Sequence, residues 1–126
     1  MRVYIAGPLF TEEQRNALEE IDKLCKNLGF TTFLPHRDAG LWYKDDHKVI
    51  FQKDKEYLDL CDFVIAIVYE EDHGTGWEIG YAFSKDIPVL ALGDPEKMNI
   101  MVQQSCKIVI SLGDLKHELA AKARKR

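Results

Sequence analysis

The run Asp72-His73-Gly74-Thr75-Gly76-Trp77-Glu78 concentrates more potential chemistry than any other stretch of this chain. It follows an apolar segment and leads into a helical pattern. Its glycines let the backbone turn tightly and approach a ligand. Read as a loop through Gly76 with a helix from Trp77, it sets Glu78 in a first helical turn, where the macrodipole favours an ionised carboxylate. A positioned, ionised carboxylate is what covalent glycosyl transfer needs as its nucleophile. Position alone favours a carboxylate that does no more than stabilise its helix. Phosphate cradling is a third use. Against it, Gly74, Gly76 and Gly80 spell G-x-G-x-x-x-G, one residue longer than the dinucleotide fingerprint, and no Walker lysine follows. Glu70, Glu71 and Asp72 would also repel a phosphate.

Two further acids share one pattern, Asp54-x-x-x-Leu58-x-x-x-Asp62. Asp54 faces either a cleft or solvent, and Asp62 stands where it can cap or position the start of a strand. Tyr4 lies inside the first apolar run. A buried tyrosine usually packs and finds one hydrogen-bond partner, and this one could hold a carboxylate across a neighbouring strand. The histidines (36, 47, 73 and 117) show no metal-binding spacing such as H-E-x-x-H. No G-x-S-x-G marks a serine nucleophile. Trp42 and Tyr43 either stack on a base or cover a core edge.

The elements that must position these residues alternate along the chain. Val3–Ala6 is predicted to be a buried strand. Thr11–Leu28 is predicted to be a helix, with Thr11 and Gln14 forming a capping box and Gly29 ending it. Its apolar positions, from Ala17 to Leu28, keep 3–4 spacing. Phe30–Leu34 is a second strand and 36–45 a loop. A helix follows from Lys48 to Leu60. Phe63–Val68 is apolar throughout, as a strand covered on both faces must be. After the glycine-bearing segment come helix Trp77–Lys85, strand Pro88–Leu92, short helix Met98–Gln104, strand Lys107–Ser111 and helix Asp114–Ala123.

This alternation predicts an α/β fold, a doubly wound five-stranded parallel sheet of flavodoxin-like or Rossmann-like type, strand order 2-1-3-4-5. Ligands of such folds bind beyond the carboxyl ends of the strands, near the switch between strands 1 and 3. The segments expected there are 7–10, 35–38 and 69–78.

The 126 residues fit one domain, 1–126, and 46% hydrophobic content suffices for a packed interior. A net charge of −4 argues against a nucleic-acid-binding module. The one basic cluster, Lys122–Arg126, reads as a solvated helix end, where cations suit the dipole. Cys25, Cys61 and Cys106 are odd in number and lack metal-ligand spacing, so buried thiols in a reducing cytoplasm are expected. No apolar run reaches membrane-spanning length. The chain opens directly on a strand pattern, which leaves no room for a signal peptide.

Together these segments resemble the nucleoside 2-deoxyribosyltransferase family. The match runs from Tyr4-Ile5-Ala6-Gly7-Pro8-Leu9-Phe10 through Pro35-His36-Arg37-Asp38, Asp54 with Asp62, and Gly74-Thr75-Gly76-Trp77-Glu78-Ile79-Gly80-Tyr81-Ala82 to Asn99-Ile100-Met101. The order and spacing of these segments, rather than any one of them, carry it. The resemblance implies that Glu78 attacks the anomeric carbon and that Tyr4 orients its carboxylate. It places Asp72 and Asp54 on the nucleobase side, either of them able to pass a proton to the leaving base. It implies that Gly7, Phe10, Asp38, Gly74 and Gly76 line the substrate pocket. Asn99 and Met101 would reach the sugar's 5′ end from a neighbouring subunit, so a homo-oligomer with shared sites, a dimer or larger, is implied.

The expected reaction is base exchange on 2′-deoxynucleosides, with a free nucleobase or water as acceptor. It is expected to need neither metal nor organic cofactor and to involve neither nucleic acid nor membrane. The first alternative is an N-glycosidase that hydrolyses deoxynucleoside 5′-monophosphates; the second is a non-catalytic nucleotide-binding or sensor domain. Relatives that hydrolyse nucleotides carry a serine- and arginine-rich first loop, whereas Ala6-Gly7-Pro8-Leu9-Phe10 has neither cation nor hydroxyl, which favours a nucleoside. Arg37 and Lys44 are the cations that could still reach a phosphate. Some transferases end in a carboxylate that enters the site; this chain ends in basic residues.

Overall fold

The structure, a computed structural model, describes residues 1–125. The last residue of the basic cluster, Arg126, lies outside the described residues. Five strands form one sheet: β1 (Arg2–Ala6), β2 (Thr31–Phe33), β3 (Phe63–Ile67), β4 (Val89–Leu92) and β5 (Lys107–Val109). Their order is β2-β1-β3-β4-β5 and every pairing is parallel. This is the predicted Rossmann-like sheet.

Six helices cover it: α1 (Glu12–Asn27), α2 (Pro35–Asp38), α3 (His47–Leu60), α4 (His73–Ser84), α5 (Ile100–Ser105) and α6 (Leu112–Arg124), with a 3₁₀ turn at Pro95–Lys97. Successive strand side chains point to opposite faces, and here that alternation sorts the core. Val3, Ile5, Phe63 and Ile65 pack with Leu18, Leu115 and Leu119 of α1 and α6. Tyr4, Ala6, Val64 and Ala66 pack on the other face with Leu58 of α3 and Ile79 and Ala82 of α4. The period of two therefore delivers Tyr4 to the face that α3 and α4 cover. Beyond Tyr4 on that face, Ala6, Ala66 and Ala91 stand in register across β1, β3 and β4.

Local chemistry explains where the helices begin. Thr11 accepts from Gln14 N at 3.1 Å while Gln14 Oε1 accepts from Thr11 N at 3.0 Å, the predicted capping box. Gly29 takes φ of +86°, open to glycine without strain. Asp46 caps α3 by accepting from Lys48 N at 2.8 Å.

Three expectations are corrected. The segment from His36 is not loop at its start: Pro35, at the first helical position, opens one turn of helix through Asp38. The short helix expected over Met98–Gln104 starts later, at Ile100 behind its cap Asn99, and a separate 3₁₀ turn at Pro95–Lys97 precedes it. Most consequential, α4 begins at His73 rather than Trp77. Asp72 Oδ2 accepts from Thr75 N at 2.9 Å and from Thr75 Oγ1 at 2.6 Å. That cap is strong enough to start the helix through two glycines that would otherwise resist it.

Candidate active site

The corrected start of α4 changes the position of Glu78. Its Cα lies in the second turn, beyond the reach of the dipole effect, which fades within the first. Glu78 instead turns inward, and the Tyr4 hydroxyl donates to its Oε2. Burial lifts the Glu78 carboxyl to about 8; the Tyr4 hydrogen bond opposes that, and the charges of Asp54 and Asp72 add to it. Tyr4 itself is fully buried, and burial followed by the Glu78 charge holds its hydroxyl well above the usual phenol range. A buried phenol that keeps its proton is a permanent donor to the carboxylate.

Asp54 joins this pair from α3. It precedes the fully buried Leu58 by one turn, so it shares the inward face and is half-buried. Burial raises its carboxyl to about 7. Among the described residues, none offers a hydrogen-bond partner to Asp54 Oδ1, which is buried. An unpartnered buried carboxyl oxygen is costly, and such positions concentrate at functional sites. Tyr4, Glu78 and Asp54 thus meet on one face of the sheet from β1, α4 and α3. Asp62 does not join them; its Oδ2 accepts from Arg2 N at 2.6 Å and anchors the start of β1.

The other expected site residues fall into three groups. Asp72 caps α4 through Oδ2 and also lines a hollow of about 410 Å³ between α4 and α5. Asn99 and Met101 of the same chain line that hollow too, with Gly76, Thr75 and Lys97. Glu78 is not among the residues lining it, because it leaves α4 on the flank that faces Tyr4. Gly76 has nothing within 4 Å of where a Cβ would stand, and at Gly74 the nearest neighbour is Asp72 Oδ2 at 3.6 Å. Asn99 Oδ1 accepts from Met101 N at 2.8 Å, which leaves its amide nitrogen as the outward group.

Gly7 does something else. A Cβ there would meet Leu18 Cδ2 at 2.8 Å and Ile67 Cβ at 3.3 Å. Its lack of a side chain lets the first loop pass between α1 and β3. At that switch point a second hollow, of about 360 Å³, is lined by Pro8, Thr11, Gln14, Ile67, Tyr69 and Glu70. Phe10 is exposed and meets Trp42 edge-on at 5.7 Å. Trp42 and Tyr43 are both exposed as well, so they cover no core edge.

Asp38 is committed within the protein. Its Oδ1 accepts from Arg37 Nε at 2.9 Å, and its Oδ2 from Arg37 NH2 at 2.7 Å and Leu34 N at 2.8 Å. Arg37 also donates through NH1 to the buried Asp22 at 2.9 Å. The guanidinium that could have reached a phosphate is therefore neutralised by two carboxylates. Sequence reasoning missed a different cation. Arg15 of α1 donates through NH1 to Leu9 O at 3.0 Å and Phe10 O at 3.2 Å, so the first loop, uncharged itself, is gripped by a guanidinium. A basic residue four positions after a helix cap, beside a glycine-proline loop, was the available signal.

Among the described residues, no group of three or more histidine, cysteine or acidic side chains is placed to hold a metal, and no helix is long and apolar enough to cross a membrane. The three thiols are free; burial pushes Cys25 up to about 12 and Cys61 and Cys106 up to about 11.

The fold and this cluster define a small Rossmann-like α/β domain whose buried tyrosine and paired carboxyls converge on one side of the central strands. The chain belongs to the nucleoside 2-deoxyribosyltransferase family, whose pattern it matches over residues 3–111. Members of that family transfer or hydrolyse glycosyl groups of nucleosides or nucleotides. A Thermofilum pendens protein provisionally named 2′-deoxynucleoside 5′-phosphate N-hydrolase 1 is 28% identical over 108 aligned positions, in a match that covers 78% of this chain and 71% of that protein. A Syntrophotalea carbinolica protein of the same provisional name is 36% identical over 74 residues, covering 56% of this chain and half (50%) of that protein. The fold is also that of a 2-deoxyribosyltransferase structure from Bacillus psychrosaccharolyticus, with TM-score 0.82, 24% identity, and 92% and 90% of the two chains covered.

Proposed function

We propose that this chain cleaves the N-glycosidic bond of 2′-deoxynucleosides and passes the deoxyribosyl group to another nucleobase, or to water, through an ester at Glu78. The observation that carries this reading is the hydrogen bond from buried Tyr4 to Glu78, beside a second carboxyl, Asp54, that has an oxygen to spare.

The chemistry follows from dividing two roles between two carboxyls. Glu78, ionised and aligned by Tyr4, attacks C1′ with one oxygen. The C1′–N bond breaks through an oxocarbenium-like transition state while Asp54 gives its proton to the departing base. An incoming base then attacks C1′, the ester C1′–O bond breaks, Glu78 regains its charge, and the incoming N–H proton returns to Asp54. Water in place of the base gives hydrolysis. Asp72, bound at Oδ2 as a helix cap, keeps Oδ1 to accept from a nucleobase.

The reactive form has the charge on Glu78 and the proton on Asp54. With Glu78 at about 8 and Asp54 at about 7, the opposite arrangement is favoured. The reactive arrangement is therefore the minor form of the singly protonated pair. That cost is small beside what nucleophilic catalysis supplies.

Asn99 and Met101 are placed outward, Met101 being 73% exposed, which supports their use in a neighbouring copy's site. Phe51 of α3 and Trp77 of α4, both exposed and meeting edge-on at 5.4 Å, form an aromatic patch that supports self-association.

A second reading is hydrolysis of deoxynucleoside 5′-monophosphates by the same Glu78. It is favoured by Arg15 at the first loop and by the names of the two relatives. Incubating the protein with a deoxynucleoside and a second base, and in parallel with the 5′-monophosphate, separates the readings by chromatography. A swapped nucleoside supports transfer. Free base from the monophosphate alone, with no exchange, supports the hydrolase. No turnover of either substrate would leave a binding domain.

A further inference from the structure

The aim of the Tyr4 hydroxyl depends on its ring, and that ring is held by others. Tyr4 and Phe33 are direct partners in the β1–β2 register, and both side chains fall on the α3/α4 face. Their rings stack with centroids 5.1 Å apart and planes at 30°. Phe33 stacks in turn on Tyr57 of α3, with centroids 4.0 Å apart and planes at 16°. Three rings from β1, β2 and α3 thus form a continuous column. Its inner end carries the hydroxyl that meets Glu78, and its outer end, Tyr57, is 44% exposed.

Tyr57 also shares a helix face with the second carboxyl, because Asp54 lies three positions earlier on α3. Leu58 is the one fully buried residue of that helix. The ring stack is therefore a large part of what seats α3 on the sheet. Glu78 arrives separately, on α4. The relation of Asp54 to the Tyr4–Glu78 pair is then set by how α3 docks.

We propose that Tyr57, acting through Phe33, is a positioning residue that fixes both the aim of the Tyr4 hydroxyl on Glu78 and the approach of Asp54. This rests on the reading of Glu78 as nucleophile. The ionisable groups that act on Glu78 are Tyr4 from β1, Asp54 from α3 and Asp72 at the start of α4. Those that act on Tyr4 are Glu78, Asp54 and Cys61. Replacing Tyr57 by an aliphatic residue alters none of these groups, so a change in pH profile reports geometry rather than lost charge.

The test compares Tyr57→Leu and Tyr57→Phe in the full chain, by kcat, KM and the pH dependence of kcat/KM. Tyr57→Leu is expected to lower kcat by roughly 10-fold or more with KM within about 3-fold, since small misplacements cost rate steeply. Its alkaline limb, set by the higher-titrating Glu78, should move to higher pH, because a weakened Tyr4 hydrogen bond no longer favours the charged Glu78. Tyr57→Phe keeps the ring and should restore both. Should Tyr57→Leu fail to fold, Tyr57→Met fills similar volume without a ring and carries the same expectation. A folded aliphatic variant with the parent's kcat and pH profile overturns the proposal, and so does a Tyr57→Phe as impaired as Tyr57→Leu. Glu78→Ala in the otherwise unaltered chain is measured alongside. If it stays active, the nucleophile reading fails, whatever Tyr57 does.

Discussion

Tyr4 donates its buried hydroxyl to Glu78 Oε2, tying the first strand to the fourth helix across 74 positions of the chain. The bond favours the ionised carboxylate, whereas burial of the same group disfavours it. Removing each end should therefore have different consequences. Glu78→Ala is expected to lose at least ~10³-fold in kcat/KM, because the covalent route is gone. Tyr4→Phe should cost less, on the order of 10–100-fold, and should move the alkaline limb of the pH–rate profile, which the higher-titrating Glu78 sets, upward. Full activity in Glu78→Ala would remove the nucleophile assignment; an unmoved alkaline limb in Tyr4→Phe would remove the orienting role.

A second expectation concerns pH. Below about 7 both carboxyls hold protons and no nucleophile exists; above about 8 both are charged and no acid remains. The profile of kcat/KM should be a bell with its maximum between those values. Asp54→Asn should abolish the alkaline limb and leave one ionisation, that of Glu78, at a value below about 8, since one charge that raises Glu78 has gone. An alkaline limb that survives in Asp54→Asn would transfer the acid role to Asp72.

Most of the fold was legible because each core strand is a short apolar run between helical patterns, and parallel crossovers admit few topologies. The juxtaposition of Tyr4 with Glu78 was open to sequence only as a possibility, since it needs the strand alternation and the position of α4 together. The start of α4 was misread because His73-Gly74-Thr75-Gly76 has poor helix propensity, while the deciding interaction is a side-chain cap from Asp72. The ion-pair web of Arg37 was hidden for another reason. Its partner Asp22 lies 15 positions earlier on α1, and only the docking of α1 beside β2 brings them together.

That web gives the third expectation. Arg37 binds Asp22 and Asp38, so it should serve stability and not phosphate recognition. Asp22 is buried, and losing the guanidinium leaves it with Lys26 and Thr32. Arg37→Met should cost roughly 1–2 kcal/mol, less than a fully buried pair because Arg37 is partly exposed. KM for a 5′-monophosphate should change no more than KM for the nucleoside. A selective rise for the phosphorylated substrate would return Arg37 to the site.

The raised carboxyl of Glu78 also predicts a stability effect. Its folded value of about 8 lies above the ordinary glutamate value of 4.5, so between these the folded state binds more protons than the unfolded chain. Stability from this group is full at acid pH and is lost as pH rises toward 8. The loss is on the order of 2–5 kcal/mol when ionisation is complete. Glu78→Gln keeps an acceptor for Tyr4 without the charge. Its Tm should match the parent's near pH 5 and exceed it by at least ~5 °C near pH 9. Parallel Tm curves across that range would mean that Glu78 is better solvated than its burial implies.

The last expectation follows from where Asn99 stands. Its Oδ1 is spent on capping α5, and Met101 beside it is 73% exposed, whereas Glu78 leaves α4 on another flank. If α5 completes a neighbour's site, the two residues act on different copies of the chain. Asn99→Asp keeps an acceptor for the cap but loses the amide donor, so it tests recognition with little cost to the helix. Glu78→Ala and Asn99→Asp should each be impaired as homo-oligomers. Co-refolding them in equal amounts should form mixed assemblies in which some sites draw Glu78 and Asn99 from unaltered positions. For random dimers about a quarter of all sites are of that kind, so activity should recover toward about a quarter of the parent's, well above either variant alone. Recovery that never exceeds the mean of the two variants would mean each site is built within one chain, and the proposal of shared sites would fall.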